Sequence, residues 1–189
     1  MGSDHSSPKS IHTHWEELFK RLPREGVSAV WPTEAACRTR FIEVRWPDGV
    51  TCPACASKET GHLGKRHTFY CKACRHQFSA QSGSVAHRSH VALQLWFVAA
   101  EMIIRSRANF LGADGPSGHD LKDRLGISYS AAYKLKKLIV GELLQPGGGL
   151  VGECILTKDT GDGCEERPRT PEDEIKELEA LILRANRRQ

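Results

Sequence analysis

Four cysteines fall as Cys52-Pro53-Ala54-Cys55 and Cys71-Lys72-Ala73-Cys74, with fifteen residues between the pairs. A C-x-x-C turn sets two sulfurs on one side of a tight loop, and two such loops joined by a short hairpin complete a tetrahedral thiolate shell. That shell suits zinc. With four sulfurs bound the ion keeps no open position for water, so the predicted role is structural: one Zn2+ held by Cys52, Cys55, Cys71 and Cys74. A ribbon of ~40 residues has a small core, and metal binding supplies on the order of 10 kcal/mol in such modules. The competing reading is four buried or redox-active thiols. His62, His67, His76, His87 and His90 lie nearby and could each replace a cysteine, but with four sulfurs placed they are expected on loop or strand surfaces. Cys37, Cys154 and Cys164 have no partner spacing and read as ordinary small side chains. Seven cysteines is an odd count, and Met1–Ser10 has no apolar signal region, which argues against a disulfide framework.

The elements that must position these sulfurs follow from local sequence. Pro53 favours the turn of the first knuckle, and Gly61 and Gly64 read as punctuating a loop. Thr68-Phe69-Tyr70 is a β-prone run entering the second knuckle, and Gln77-Phe78-Ser79 leaves it. From Val91 the spacing turns helical: Val91, Leu95, Val98 and Met102, flanked by Trp96, Phe97 and Ile103, predict a broad apolar face. A break over Asn109–Gly118 follows. Ser117 is a predicted cap with Asp120 three residues on, and Leu121 and Leu125 share one face of a short helix. Gly126-Ile127-Ser128 reads as a tight turn. Ser128 then caps a helix over Tyr129–Leu144 with apolar positions Ala132, Leu135, Leu138, Ile139 and Leu143.

A short helix, a glycine turn and a longer basic helix make a helix-turn-helix candidate. Its second helix would offer Ser128, Tyr129, Ser130, Tyr133 and Lys134 to base edges. Lys136 and Lys137, further along, suit phosphates. Lys72, Arg75, Arg88, Arg105, Arg107 and Arg124 are further candidates for phosphate contact. A plain αα-hairpin with lysines facing water is the alternative.

Composition sets the limits. The chain has 189 residues, 39% hydrophobic and 26% charged, which excludes global disorder. No run approaches the ~18 apolar residues of a membrane span. The net charge of +4 is unevenly spread: residues 1–50 are balanced, residues 51–144 carry +7 and residues 145–189 carry −3. A basic middle with an acidic end suggests that the middle meets a polyanion.

At the ends, Thr13–Leu22 reads as an amphipathic helix with Trp15, Leu18, Phe19 and Leu22 on one side, expected to pack on the ribbon. Gln145–Arg169 is glycine- and charge-rich and reads as a flexible linker. Thr170-Pro171-Glu172-Asp173-Glu174 is a helix start, with Ile175, Leu178, Leu181, Ile182 and Ala185 after it. About four turns long, that helix needs a partner, and a second copy is the favoured one. The expected fold class is small α+β: a zinc ribbon of short hairpin strands, a helix-turn-helix-like helical domain and a C-terminal helix. The expected divisions are an N-terminal extension (1–30), ribbon and flanks (31–90), helical domain (91–144), linker (145–169) and C-terminal helix (170–189).

The stretch from Trp31-Pro32-Thr33-Glu34-Ala35-Ala36-Cys37 through Arg45-Trp46-Pro47-Asp48-Gly49 to both cysteine pairs, then Arg75-His76-Gln77-Phe78-Ser79 and Ser82-Gly83-Ser84-Val85, resembles bacterial insertion-sequence transposases with an N-terminal zinc ribbon. Leu121–Tyr133 resembles that family's helix-turn-helix, and the likeness covers about residues 31–144. The resemblance implies that a metal-dependent DDE nuclease domain of RNase H-like fold comes next. Its opening is echoed in Leu150-Val151-Gly152-Glu153-Cys154-Ile155-Leu156-Thr157-Lys158. Thr157 stands where the family's first catalytic Asp would be, and Lys158 where a Glu follows. A neutral hydroxyl cannot replace a carboxylate that holds divalent cations. Residues 145–189 are too few for such a domain, so the expectation is a transposase relic that reads DNA without cutting it.

Three functions compete at this level. The leading one is a sequence-specific DNA-binding regulator of transcription without nuclease activity, nucleoid-associated in the cytoplasm, with double-stranded DNA as partner. The others are a DNA-binding accessory subunit of a transposase, and a ribbon module docking on RNA polymerase or another protein.

Overall fold

A computed structural model describes residues 8–64, 67–109 and 115–157, with residues 8–10 described by backbone alone. The elements are α1 (Pro8–Arg21), α2 (Val27–Val30), α3 (Glu34–Arg45), β1 (Thr60–Leu63), β2 (Thr68–Cys71), β3 (Gln77–Ser79), α4 (Leu93–Asn109), α5 (Gly118–Leu125), α6 (Tyr129–Leu143), a 3-10 turn at Pro146–Gly148 and α7 (Gly149–Ile155). Cys164 and the expected helix over 170–189, with the dimer it was to mediate, lie outside the described residues.

Helix α4 is the axis around which α1, α2, α3, α5, α6 and α7 pack. Its buried face is Leu93, Trp96, Phe97, Ala99, Ala100, Ile103 and Ile104. Of the expected face, Trp96, Phe97 and Ile103 are buried, whereas Val91, Leu95, Val98 and Met102 are only partly buried at the margin of the core. Two alanines carry the central contact because their small side chains let neighbouring helices approach closely, and a search for large apolar residues passes over them. Leu138 is likewise not in the core of α6 but 44% exposed.

One continuous core draws on Trp15, Leu18 and Leu22 of the N-terminal segment, Cys37 and Phe41 of α3, and the buried residues of α4 to α7. Three expectations are corrected by it. Helix α1 packs on α4 rather than on the ribbon, with Trp15 and Leu18 buried. The expected boundary at residue 90 does not divide two cores, since α3 lies before the ribbon in sequence yet belongs to the helical core. Residues 145–157 of the expected linker are structured: Val151, Cys154, Ile155 and Leu156 are buried. The glycines there serve a reversal, with φ of 72°, 88° and 62° at Gly147, Gly148 and Gly149, so α7 folds back onto α6. Left-handed backbone is cheap only for glycine, and the run that looked pliant is a sharp corner.

The ribbon is a three-stranded antiparallel sheet in the order β1-β2-β3. Thr60–Leu63, expected as loop, is its first strand, pairing Gly61 with Tyr70 and His62 with Phe69. Phe69 pairs with Phe78 across to β3. A small core of Cys52, Phe69, Cys71 and Phe78 backs the sulfurs, with Ile42, Trp46 and Val50 against it. Ile42 touches both cores, so α3 splints the ribbon to the helices.

Candidate metal centre and nucleic-acid interface

The two knuckles are built alike. In the first, Cys52 N–H donates to Ser57 O and Ala56 N–H to Cys52 O, both at 2.9 Å. In the second, Cys71 N–H donates to His76 O and Arg75 N–H to Cys71 O, again at 2.9 Å. The residue after the second cysteine of each pair, Ala56 and Arg75, is left-handed at φ 57° and 62°. Side chains there cost of order 1 kcal/mol or more each, a strain that persists where surrounding structure holds it.

These loops bring all four Sγ atoms within 4.8 Å of one another. Cys52 and Cys74 are 3.6 Å apart and Cys55 and Cys71 3.5 Å. Four sulfurs at about 2.3 Å from a central ion would sit roughly 3.8 Å from each other, so the donor set fits tetrahedral Zn2+. The four cysteines are positioned to bind one metal ion. None of the five neighbouring histidines belongs to the cluster. His62 and His76 instead lie against Phe69 and Phe78, with ring centroids 5.1 and 6.1 Å apart. His87 Nδ1 accepts the Gly83 N–H.

The Cys71 pKa is drawn down to about 7, first by the Cys74 backbone N–H donating to its sulfur. Cys55 is pushed up to about 12: the Ser57 backbone N–H favours its thiolate most strongly, but hydrogen bonds with the sulfurs of Cys74, Cys71 and Cys52 outweigh it. A divalent cation supplies the positive charge that four crowded thiolates require.

The second candidate site is the helical pair α5–α6. Ser117 caps α5 by accepting the Asp120 N–H at 3.1 Å, while Asp120 accepts the Ser117 N–H at 2.8 Å. These bonds hold the Asp120 carboxyl below its ordinary value. Gly126 ends α5 in the left-handed conformation, φ 66°, and Ser128 caps α6. Leu121, Ala132, Leu135 and Ile139 anchor the pair in the core. Ser128, Tyr129, Ser130, Tyr133, Lys134 and Lys137 all face solvent, and Lys136 is half-buried. Sequence reasoning missed His119: its ring lies 4.6 Å from that of Tyr129, which is followed by Tyr133 at 6.4 Å. Gly118 makes room for this contact, since a Cβ there would meet the Tyr129 ring at 2.9 Å.

The scattered cations do not act alike. Lys72, Arg75, Arg88 and Arg124 are exposed. Arg105 is engaged, ion-paired with Glu101 at 2.8 Å and with its guanidinium 5.6 Å from the Phe19 ring centre. Arg107 lies over Trp15 at 4.8 Å. Both arginines brace α1 on α4, a contact invisible without the fold.

Comparison with known proteins bears on the ribbon directly. Residues 32–77 match the family model of the transposase zinc-ribbon domain (IS1595). That stretch, with the four cysteines inside it, is similar to a transposase zinc ribbon. Over 123 residues the chain is 29% identical to a Halobacterium salinarum protein described as an "Uncharacterized protein in transposable element ISH50". The alignment covers 64% of this chain and 39% of that relative, so the chain spans about two fifths of the relative's length. No solved structure matches. The matched segment includes all of α3 as well as both cysteine pairs. No helix among the described residues is long and apolar enough to cross a membrane.

Proposed function

We propose that this transposase-like chain is a sequence-specific DNA-binding protein that regulates transcription and does not cut DNA. The observation that supports it most is the exposed array Ser128, Tyr129, Ser130, Tyr133, Lys134 and Lys137 at the start of α6, on a helix fixed from behind by Leu135 and Ile139. In this reading α5–α6 is a helix-turn-helix. The N-terminal side chains of α6 enter the major groove, and Lys136 and Lys137 meet phosphates. The ribbon, locked by its metal, sits beside the helical core on the splint of α3.

The absence of cutting rests on Thr157. It stands where the family resemblance puts the first catalytic carboxylate, at the point where the chain leaves α7 and its backbone N–H donates to Arg21 O at 3.1 Å. A hydroxyl there supplies no charge for a divalent ion.

The test is binding of the zinc-loaded protein to genomic fragments, with footprinting of the enriched sequences. A discrete protected site is expected, and its loss in Lys134→Glu/Lys137→Glu. No protection at any salt concentration would overturn the reading. Magnesium- or manganese-dependent cleavage by the purified chain would replace it with that of a transposase subunit.

A further inference from the structure

The ribbon sheet has two faces. Phe69, Cys71 and Phe78 turn one of them towards Trp46 and the sulfurs. The other carries Gly61, Tyr70 and Gln77 side by side, by strict alternation along paired strands. Tyr70 lies across Gly61, where its Cε1, Cζ and Oη fill the space that a Cβ would need. A shallow depression of about 500 Å³ opens on this face, lined by Leu63, Tyr70, Cys71, Lys72, Arg75 and Gln77.

Among the described residues no acid lines it, and the sequence around it is strongly cationic. Residues 51–90 hold six Lys and Arg against one acid, Glu59. Lys72 and Arg75 are both exposed at the depression, and Glu59 accepts the Lys72 N–H on its backbone carbonyl at 2.8 Å. The depression is open to solvent rather than enclosed, and it brings the Tyr70 ring together with two cations.

We propose that this face is a second DNA-contact site, taking an unpaired nucleotide of a single strand on Tyr70 with its phosphates against Lys72 and Arg75. Base–aromatic stacking with cationic backbone tracking is how single strands are held. Inside a duplex both faces of every base are covered by neighbours, so a ring set into a depression finds a stacking partner only at a duplex end or where pairing is broken. The site takes its ligand class from the proposed DNA binding of the chain, but it uses no residue of α5 or α6. Gln77 offers an amide to the edge of the stacked base.

The test uses the zinc-loaded full chain, a fluorescein-labelled oligothymidylate and a duplex that the protein protects, followed by anisotropy. Tyr70→Ala is expected to weaken the single strand about tenfold or more, while Tyr70→Phe keeps binding within about twofold. Arg75→Gln should lower the salt slope for the single strand by about 0.7, one phosphate contact. Lys134→Glu/Lys137→Glu should abolish the duplex complex and leave the single-strand complex, which separates failure of this site from failure of the helix-turn-helix. Unchanged oligothymidylate affinity in Tyr70→Ala, with metal retained, overturns the proposal. Should that variant lose metal, photocrosslinking of wild-type protein to bromouridine-substituted oligonucleotide decides: adducts on Tyr70 support the site, and adducts confined to α6 sink it.

Discussion

Arg45 Nη2 donates to the Ser82 carbonyl at 2.6 Å, tying the last turn of α3 to the chain that leaves the ribbon. Nη1 of the same guanidinium donates to Ala80 O, and its plane lies 4.4 Å from the centre of the Trp46 ring. Burial lowers the Arg45 pKa, yet the group keeps its charge because guanidinium starts so high. This side chain thus adds a polar tie between α3 and the metal module beside the packing of Ile42. Arg45→Ala should cost about 2–4 kcal/mol, since charged hydrogen bonds contribute roughly 1.5–3 kcal/mol each and two carbonyls would lose their donor. Denaturant melts would measure the loss, and metal stoichiometry should stay at one per chain. Arg45→Lys should recover less than half of it, for an ammonium cannot serve two carbonyls and stack at once.

Metal removal should melt the ribbon and spare the helices. The two cores are separate clusters that share Ile42 alone. Chelation is expected to change the fluorescence of Trp46, whose ring lies 5.9 Å from Phe69, while far-ultraviolet helix signal persists. Cys52→Ser or Cys74→Ser should reproduce the chelated state. Concerted loss of helix on chelation would show instead that the metal holds the whole fold.

Two glycines should respond differently to the same change. Gly126 is left-handed, but nothing lies within 4 Å of where its Cβ would go. Gly126→Ala should therefore cost about 1 kcal/mol, the conformational term alone. Gly149 is also left-handed, and its Cβ would stand 2.7 Å from Glu142 O. Gly149→Ala should cost clearly more, about 2–3 kcal/mol, because backbone must move as well. Equal losses in thermal melts would show that α7 is not held against α6 as described.

Alkali should destabilise the helical core through two thiols. Burial pushes Cys154 up to about 12 and Cys37 up to about 11, from an ordinary 9.0. Above about pH 9 the unfolded chain sheds these protons while the folded chain keeps them, so stability falls as pH rises. Below pH 9 both states are protonated and neither thiol contributes a slope. Urea midpoints between pH 9 and 11 should fall less steeply in Cys37→Ala/Cys154→Ala than in wild type. Parallel slopes would mean that neither thiol is shielded.

Much of the site was legible before any coordinates. Four sulfurs at a short repeated spacing can close on an ion by local turns, so the metal centre follows from sequence alone. The same holds for the caps at Ser117 and Ser128 and for the turn at Gly126, where one residue's chemistry settles a local bond. The exposed start of α6 followed because Leu135 and Ile139 dictate which side turns inward.

Contacts between distant segments were another matter. Helical period fixes that α4 has a buried face, but six neighbours arriving from separate parts of the chain decide which one, and they chose the face with Ala99 and Ala100. The glycines at 147–149 permit either a loose tether or a tight corner, and packing against α6 selected the corner. Arg105 and Arg107 carry the same charge as Lys134. Only assembly put aromatic rings of α1 beneath the two arginines and left the lysine facing water. Local chemistry fixed the metal ligands and the caps of this protein, whereas burial, which depends on every segment at once, decided the orientation of its helices and the fate of its charges.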